Sequence, residues 1–182
     1  MQRTRWTTPP LVYIILLTWN QRQDTLACLA SLEQLTYPRF QILVVDNGSQ
    51  DGTSEVIRRQ FPAVDLLVNE HNLGFQGGFN LGMRYALAHG ADFLLVMNND
   101  TTVQPDMLDE LMSYAGAPEV GMLAPKIYYF DEPERIWSVG CAMLMLRLAR
   151  QKRFESIRSY WRGLRDGWKM PLETVVDSSC RF

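Results

Sequence analysis

Cysteine is scarce in these 182 residues, occurring only as Cys28, Cys141 and Cys180. An odd number with no paired spacing argues against a disulfide framework and a cysteine-based zinc site, and fits a reducing cytosol. Histidine is scarcer still. His71 and His89 lack a partner at ligand spacing, so both are expected at the surface or in loops and not on a metal. Long apolar runs are also missing. The longest early one, residues 11–17, is far short of the ~20 residues a spanning helix needs. It follows Arg3 and Arg5 as a signal peptide would. No small-residue cleavage site comes after it, and the polar Thr18-Trp19-Asn20-Gln21-Arg22 does, so a first core strand is expected. Neither a GxGxxG loop nor a phosphate loop ending in GK[ST] is present, which weakens dinucleotide and P-loop readings. There is no internal repeat or low-complexity tract.

Charge is small overall, at -2, but uneven. Residues 1–146 carry nine basic and sixteen acidic side chains. Residues 147–169 carry eight basic ones against Glu155 and Asp166. The acidic front argues against nucleic acid as a partner. The basic stretch fits either an amphipathic helix on an anionic membrane surface or a mobile solvated loop. Its irregular apolar spacing favours the loop.

Along the chain, strand and helix patterns alternate. Strands are expected at residues 11–17, 40–45, 64–68 and 93–97, and helices at 24–35, 53–60, 79–89 and 105–114. A further strand is expected within 121–130. Such alternation predicts the α/β class, a mainly parallel Rossmann-like sheet flanked by helices. The regular pattern ends after Trp137.

What is present is one pattern used twice. Phe40-Gln-Ile-Leu-Val-Val ends at Asp46-Asn47-Gly48-Ser49, and Phe93-Leu-Leu-Val-Met ends at Asn98-Asn99-Asp100. Near-continuous apolar runs read as strands buried on both faces. Ligands of open α/β sheets bind beyond the carboxyl ends of such strands, which places Asp46 and Asp100 on one rim. The loop from Asp46 to Thr53 can hydrogen-bond a base or ribose, or it can be a plain turn with a helix cap. The glycine-rich stretch from Asn69 to Asn80 reads as a loop running into a helix, whose amides suit a diphosphate or merely close a tight turn. Asn98-Asn99-Asp100 offers a lone carboxylate for a hard cation that completes its shell with water and phosphate, or an Asx-rich turn.

Taken together, Leu17-Thr18-Trp19-Asn20, VVDNGSQDGT, NLGFQGGFNLGMRYAL and NNDTTVQPDMLDEL resemble the inverting family 2 glycosyltransferases, in particular their rhamnosyltransferase-like branch. VGMLAPKIYYFDEPERIWSVG resembles the segment that follows there, so the likeness runs in order over residues 11–140. It implies the nucleotide-diphospho-sugar transferase (GT-A) fold, with a donor-binding α/β domain at 1–140 and, at 141–182, a basic loop or helix that starts an incomplete acceptor region. By matching position, Thr18 and Asn20 would flank the nucleotide and Asp46 would hold the base. Asn72, Gly74 and Gly77 would lie beside the ribose and diphosphate, Asn99 would face the ribose, and Asp100 would take Mg²⁺ or Mn²⁺. The implied donor is a UDP- or dTDP-sugar, and the acceptor a glycan or lipid-linked molecule. The expected setting, from cysteine usage, is the cytoplasm, with peripheral contact at the inner membrane face through 147–169 if that stretch is the amphipathic helix. The family's catalytic base, an acid in a Glu-Asp motif, is expected beyond Phe182, which also leaves open an inactive nucleotide-sugar-binding module. A sugar nucleotidyltransferase fits less well, because no glycine-rich basic loop follows the first strand.

Overall fold

The computed structural model describes residues 3–118, 120–139 and 143–147. Its centre is a sheet in the order β3-β2-β1-β4-β8-β5. β1 (Val12–Thr18), β2 (Phe40–Asp46), β3 (Asp65–Val68) and β4 (Phe93–Asn98) run parallel. β8 (Met143–Arg147) is antiparallel to β4 and to the two-residue β5 (Met122–Leu123). The predicted class is therefore observed. The strand at Met143–Arg147 carries the sheet past Trp137, where the regular sequence pattern ends, and past residue 140, the expected end of the donor-binding domain. Apart from its first residue, the basic stretch 147–169 lies outside the described residues.

The apolar runs form strands because both sheet faces are covered. Val12, Ile14 and Leu16 of β1 join Val44, Leu95 and Met97 in one cluster. That cluster also takes in Cys28, Leu29 and Leu32 of α1 (Arg22–Leu32), Ile57 of α2 (Thr53–Gln60), and Leu108, Leu111 and Met112 of α4 (Met107–Ala115). The alternate positions meet α3 (Gly74–Ala88) on the opposite face. Each fully buried aliphatic side chain contributes ~1.5–3 kcal/mol of transfer free energy, so the alternation fixes strand register firmly.

α3 departs from expectation. It begins at Gly74, five residues before the predicted start, so the glycine-rich stretch from Gly74 onward is helix and not loop. Two of those glycines have a packing reason. A Cβ on Gly78 would stand 2.3 Å from Leu17 Cδ1, and one on Gly82 would stand 2.7 Å from Ile15 Cγ2 and 3.0 Å from Val45 Cγ2. The helix axis lies so close to β1 and β2 that only hydrogen fits, and tertiary packing overrides poor helix propensity. The single strand expected in 121–130 is instead two pieces, β5 and β6 (Lys126–Tyr128), separated by Ala124-Pro125. Proline has no amide hydrogen to continue a ladder. β6 pairs with β7 (Ile136–Val139) as a separate two-stranded hairpin. Among the described residues, no helix is long and apolar enough to cross a membrane.

The parallel register aligns the strand ends. Thr18 stands beside Asp46, and Leu17 beside Asn98. From β1 the chain first builds outward through β2 and β3, then returns to place β4 on the other side. That reversal between β1 and β4 is the topological switch point where α/β sheets open a crevice.

Candidate functional site

A cavity of about 600 Å³ opens at that switch point. Thr18, Asn20, Asn72, Gly74, Asn99 and Asp100 line it, together with Trp19, Asn47, Phe75 and Asn98. Six of the eight residues singled out from sequence are thus brought together. Asp46 and Gly77 are not on this wall. Gly77 lies within α3, where an added Cβ would stand 2.9 Å from Leu73 Cβ.

Asp46 sits behind the wall, fully buried at the end of β2. Its Oδ1 accepts from the Ser49 amide at 2.9 Å, and its Oδ2 accepts from the Ser54 hydroxyl. Both carboxylate oxygens thus hold the turn into α2. The neighbour, Asn47, reaches the cavity instead. Its carboxamide is 2% exposed and uses all four of its hydrogen-bonding positions. Nδ2 donates to Asn72 Oδ1 at 2.8 Å and to the Gly74 carbonyl at 3.2 Å. Oδ1 accepts from Asn69 Nδ2 at 2.9 Å and from the Leu73 amide at 3.2 Å. Asn72 Oδ1 also accepts from the Gly74 amide at 2.7 Å. Side chains therefore take up the amides at the start of α3, groups a helix cannot satisfy by itself. Gly48 makes room for this. Its φ is +84°, and a Cβ there would meet His71 Cα at 3.1 Å.

The first loop is tied to the second. Asn20 has a left-handed φ of 55°. Its amide donates to Ser49 Oγ at 2.9 Å, and its Oδ1 accepts from the Gln50 amide at 2.8 Å. The Arg22 amide donates to Asp51 Oδ2 at 3.1 Å, and its guanidinium donates to the Asp51 carbonyl at 2.9 Å. Partial burial pushes the Asp51 carboxyl up. Hydrogen bonds from Thr53 and from the Arg22 amide outweigh it and hold the pKa below the ordinary value.

Beneath the cavity floor lies a buried polar group of three. Thr25 Oγ1 donates to the Gln21 carbonyl at 2.7 Å and lies 2.8 Å from Thr18 Oγ1. Asn99 Nδ2 donates to Thr25 Oγ1 at 2.9 Å and to Thr18 Oγ1 at 3.4 Å. Thr18 and Asn99 are 1% and 5% exposed, so their hydrogen-bonding side chains serve this joint as well as the cavity wall. Among the described residues, no donor reaches the Asn99 carbonyl Oδ1. Asp100, the next residue, is exposed.

Asp100 and Asn98 also line a second, larger cleft of about 940 Å³. Its other walls include Tyr114 of α4 and Tyr128, Tyr129, Phe130 and Trp137 of the β6–β7 hairpin, with Glu110 and Lys126 as charged members. The lone Asp100 carboxylate therefore stands where two open spaces meet. Among the described residues, no three His, Cys, Asp or Glu side chains cluster as a metal cage. The donor set fits a hard cation that draws its remaining oxygens from water and a phosphate ligand. His71 and His89 are exposed, as expected, and His89 stacks on Tyr85. Cys28 is a free, buried thiol, while Cys141 and Cys180 lie outside the described residues.

Sequence reasoning missed Asn47 and Thr25. Asn47 was visible as part of a polar loop, but nothing marked it over Asp46. Thr25 belongs to none of the motifs and falls within the helix expected at 24–35.

Comparison with known proteins places this arrangement. The chain is 26% identical over 151 residues, or 82% of its length, to the galactofuranosyltransferase GlfT1 of Mycolicibacterium smegmatis, of which that match covers 50%. It is 30% identical over 123 residues, or 63% of its length, to the N-acetylglucosaminyl-diphospho-decaprenol L-rhamnosyltransferase of Mycobacterium tuberculosis, with 40% of that protein covered. The chain thus spans half or less of the length of these relatives. Its fold is that of the mannosyltransferase PcManGT from Pyrobaculum calidifontis, at a TM-score of 0.64 and 20% identity over 78% of this chain and 45% of that one. This is the GT-A fold that the ordered motifs implied. The sequence model of glycosyl transferase family 2 matches residues 13–176, and the chain belongs to that family.

Proposed function

We propose that this chain binds a nucleoside-diphosphate sugar and a divalent cation, and forms the donor side of an inverting glycosyltransferase. The observation that carries the reading is the cavity at the β1–β4 switch point, which meets a second cleft at Asp100. The PcManGT structure is described as a complex with GDP-Man and Mn²⁺, which supports the same ligand classes here.

The cavity's own chemistry supports these roles. Trp19, 53% exposed, offers a ring face for a uracil or thymine base. Thr18 and Asn20 flank the nucleotide, while Asn72 and Gly74 bring the start of α3 towards the ribose and diphosphate. Asn99, its Nδ2 committed inward, accepts from a ribose hydroxyl through Oδ1. Asp46 acts from behind, by holding the loop on which Asn47 stands. Among the described residues no Lys or Arg lines this cavity, so a diphosphate finds no side-chain cation from them. Mg²⁺ or Mn²⁺ at Asp100 would supply that charge and stabilise the leaving diphosphate. The acceptor, a glycan or lipid-linked hydroxyl, would approach through the aromatic cleft on the other side of Asp100, in line for displacement with inversion.

Calorimetric titration with UDP and dTDP tests the reading. Affinity should rise when Mn²⁺ or Mg²⁺ replaces chelator, and Asp100→Ala should remove the rise. Equal affinity with metal and with chelator would refute the role of Asp100.

A further inference from the structure

We propose that Thr25 is a positioning residue for Asp100, acting through Asn99. The inference rests on the cation role given to Asp100 above. Among the described residues, the Asp100 side chain makes no hydrogen bond or ion pair of its own, so its location is set through the backbone by its neighbours. α1 grips a side chain just before Asp100 and a backbone amide just after it. Thr25 Oγ1 accepts from the side-chain Nδ2 of Asn99 at 2.9 Å, and Ser31 Oγ accepts from the backbone amide of Val103 at 3.2 Å. The segment Asp100-Thr101-Thr102 is the short span between those grips.

Of the two, the Thr25 grip is the more constrained. A hydroxyl has one proton and two lone pairs. Thr25 spends its proton on the Gln21 carbonyl and accepts from Asn99 Nδ2 and from the Thr18 hydroxyl, so it is saturated. It is 0% exposed, so water does not substitute for any of the three. One atom therefore locks the end of β1, the first turn of α1 and the residue before Asp100. Valine matches threonine in shape but lacks the hydroxyl. Thr25→Val would leave Asn99 Nδ2 short of a partner and release the turn, while the apolar packing of α1 persists.

The test is calorimetric titration of wild type, Thr25→Val and Thr25→Ser with UDP, each in Mn²⁺ and in chelator, with circular dichroism as a folding check. Groups that orient a metal ligand typically matter by ~10–100-fold in metal affinity. Thr25→Val should lose that much of the Mn²⁺-dependent gain, over and above any loss in chelator through the Asn99 and Thr18 contacts with the nucleotide. Thr25→Ser, which restores the hydroxyl, should keep the gain. The inference is overturned if Thr25→Val retains the gain, if Thr25→Ser loses as much as Thr25→Val, or if affinity falls alike with and without Mn²⁺. If Thr25→Val does not fold, Thr25→Cys takes its place under the same criteria. A wild type with no Mn²⁺-dependent gain would overturn the cation role itself, and this inference with it.

Discussion

Replacing Asn47 by alanine is expected to loosen the start of α3 without unfolding the protein. The side chain makes four hydrogen bonds, to Asn69, Asn72, Leu73 and Gly74. At about 1 kcal/mol net for each neutral bond, the upper bound is ~4 kcal/mol. Asn72, Leu73 and Gly74 are exposed, so water recovers part of that. A local loss of ~2 kcal/mol remains, or roughly 30-fold in an opening equilibrium. Amide hydrogen exchange reads it directly, because the Leu73 amide donates to Asn47 Oδ1. Exchange at Leu73 and Gly74 should accelerate by about that factor, while amides late in α3 and in β1 keep their wild-type rates. Asn47→Asp keeps the acceptor towards Leu73 but turns an oxygen onto Asn72 Oδ1 and the Gly74 carbonyl, so it should relax the loop rather than rescue it. Unchanged exchange at Leu73 would refute the reasoning. So would uniform acceleration through α3 and β1, which would make Asn47 a determinant of global stability.

Asp46→Ala should lower stability by ~1–3 kcal/mol for the Ser49 and Ser54 partners left behind, read as a lower urea midpoint; an unchanged midpoint with weakened nucleotide binding would mean that Asp46 contacts the ligand. In Gly82→Ala, the gain of ~1 kcal/mol in helix propensity is opposed by ~1–3 kcal/mol of overpacking against the stiff β-branched Ile15 and Val45. Urea unfolding should show a net loss, and a stabilised variant would contradict the close helix–sheet approach. Burial, reinforced by the charge of Asp100, raises the Cys28 thiol from 9.0 to about 12. Between those values the unfolded chain releases a proton that the folded chain keeps, so stability falls as pH climbs from 9.0 towards about 12. Cys28→Ala should shallow that decline in urea midpoints, and identical slopes would count against it.

The elements that carry the rim could be read from sequence because their signals were local. β2 and β4 are continuous apolar runs that stop at Asp or Asn, and α2 matches its predicted bounds of 53–60. α3 was misread because glycine signals a loop when only propensity is weighed; the reason for Gly78 and Gly82 lies in Leu17, Ile15 and Val45, far away in sequence. The choice between Asp46 and Asn47 could not be read at all. Adjacent residues at a strand end point opposite ways, and which one reaches the crevice depends on how the next loop folds back. Thr25 was hidden for a similar reason, since its partner Asn99 is 74 residues on.

The antiparallel strand at Met143–Arg147 has a practical consequence for anyone trimming this chain. It covers the flank of Phe93–Asn98, the strand whose end carries the site. In the described sheet, the outermost members are β3, of four residues, and β5, of two, both too short to recruit another strand readily. A fragment cut at residue 140, after the last family-like motif, would uncover the five-residue apolar ribbon Phe93–Met97 with its backbone groups unpaired on that side. Such a fragment should self-associate through that flank and precipitate as it is concentrated. One that keeps Arg147 should stay dispersed.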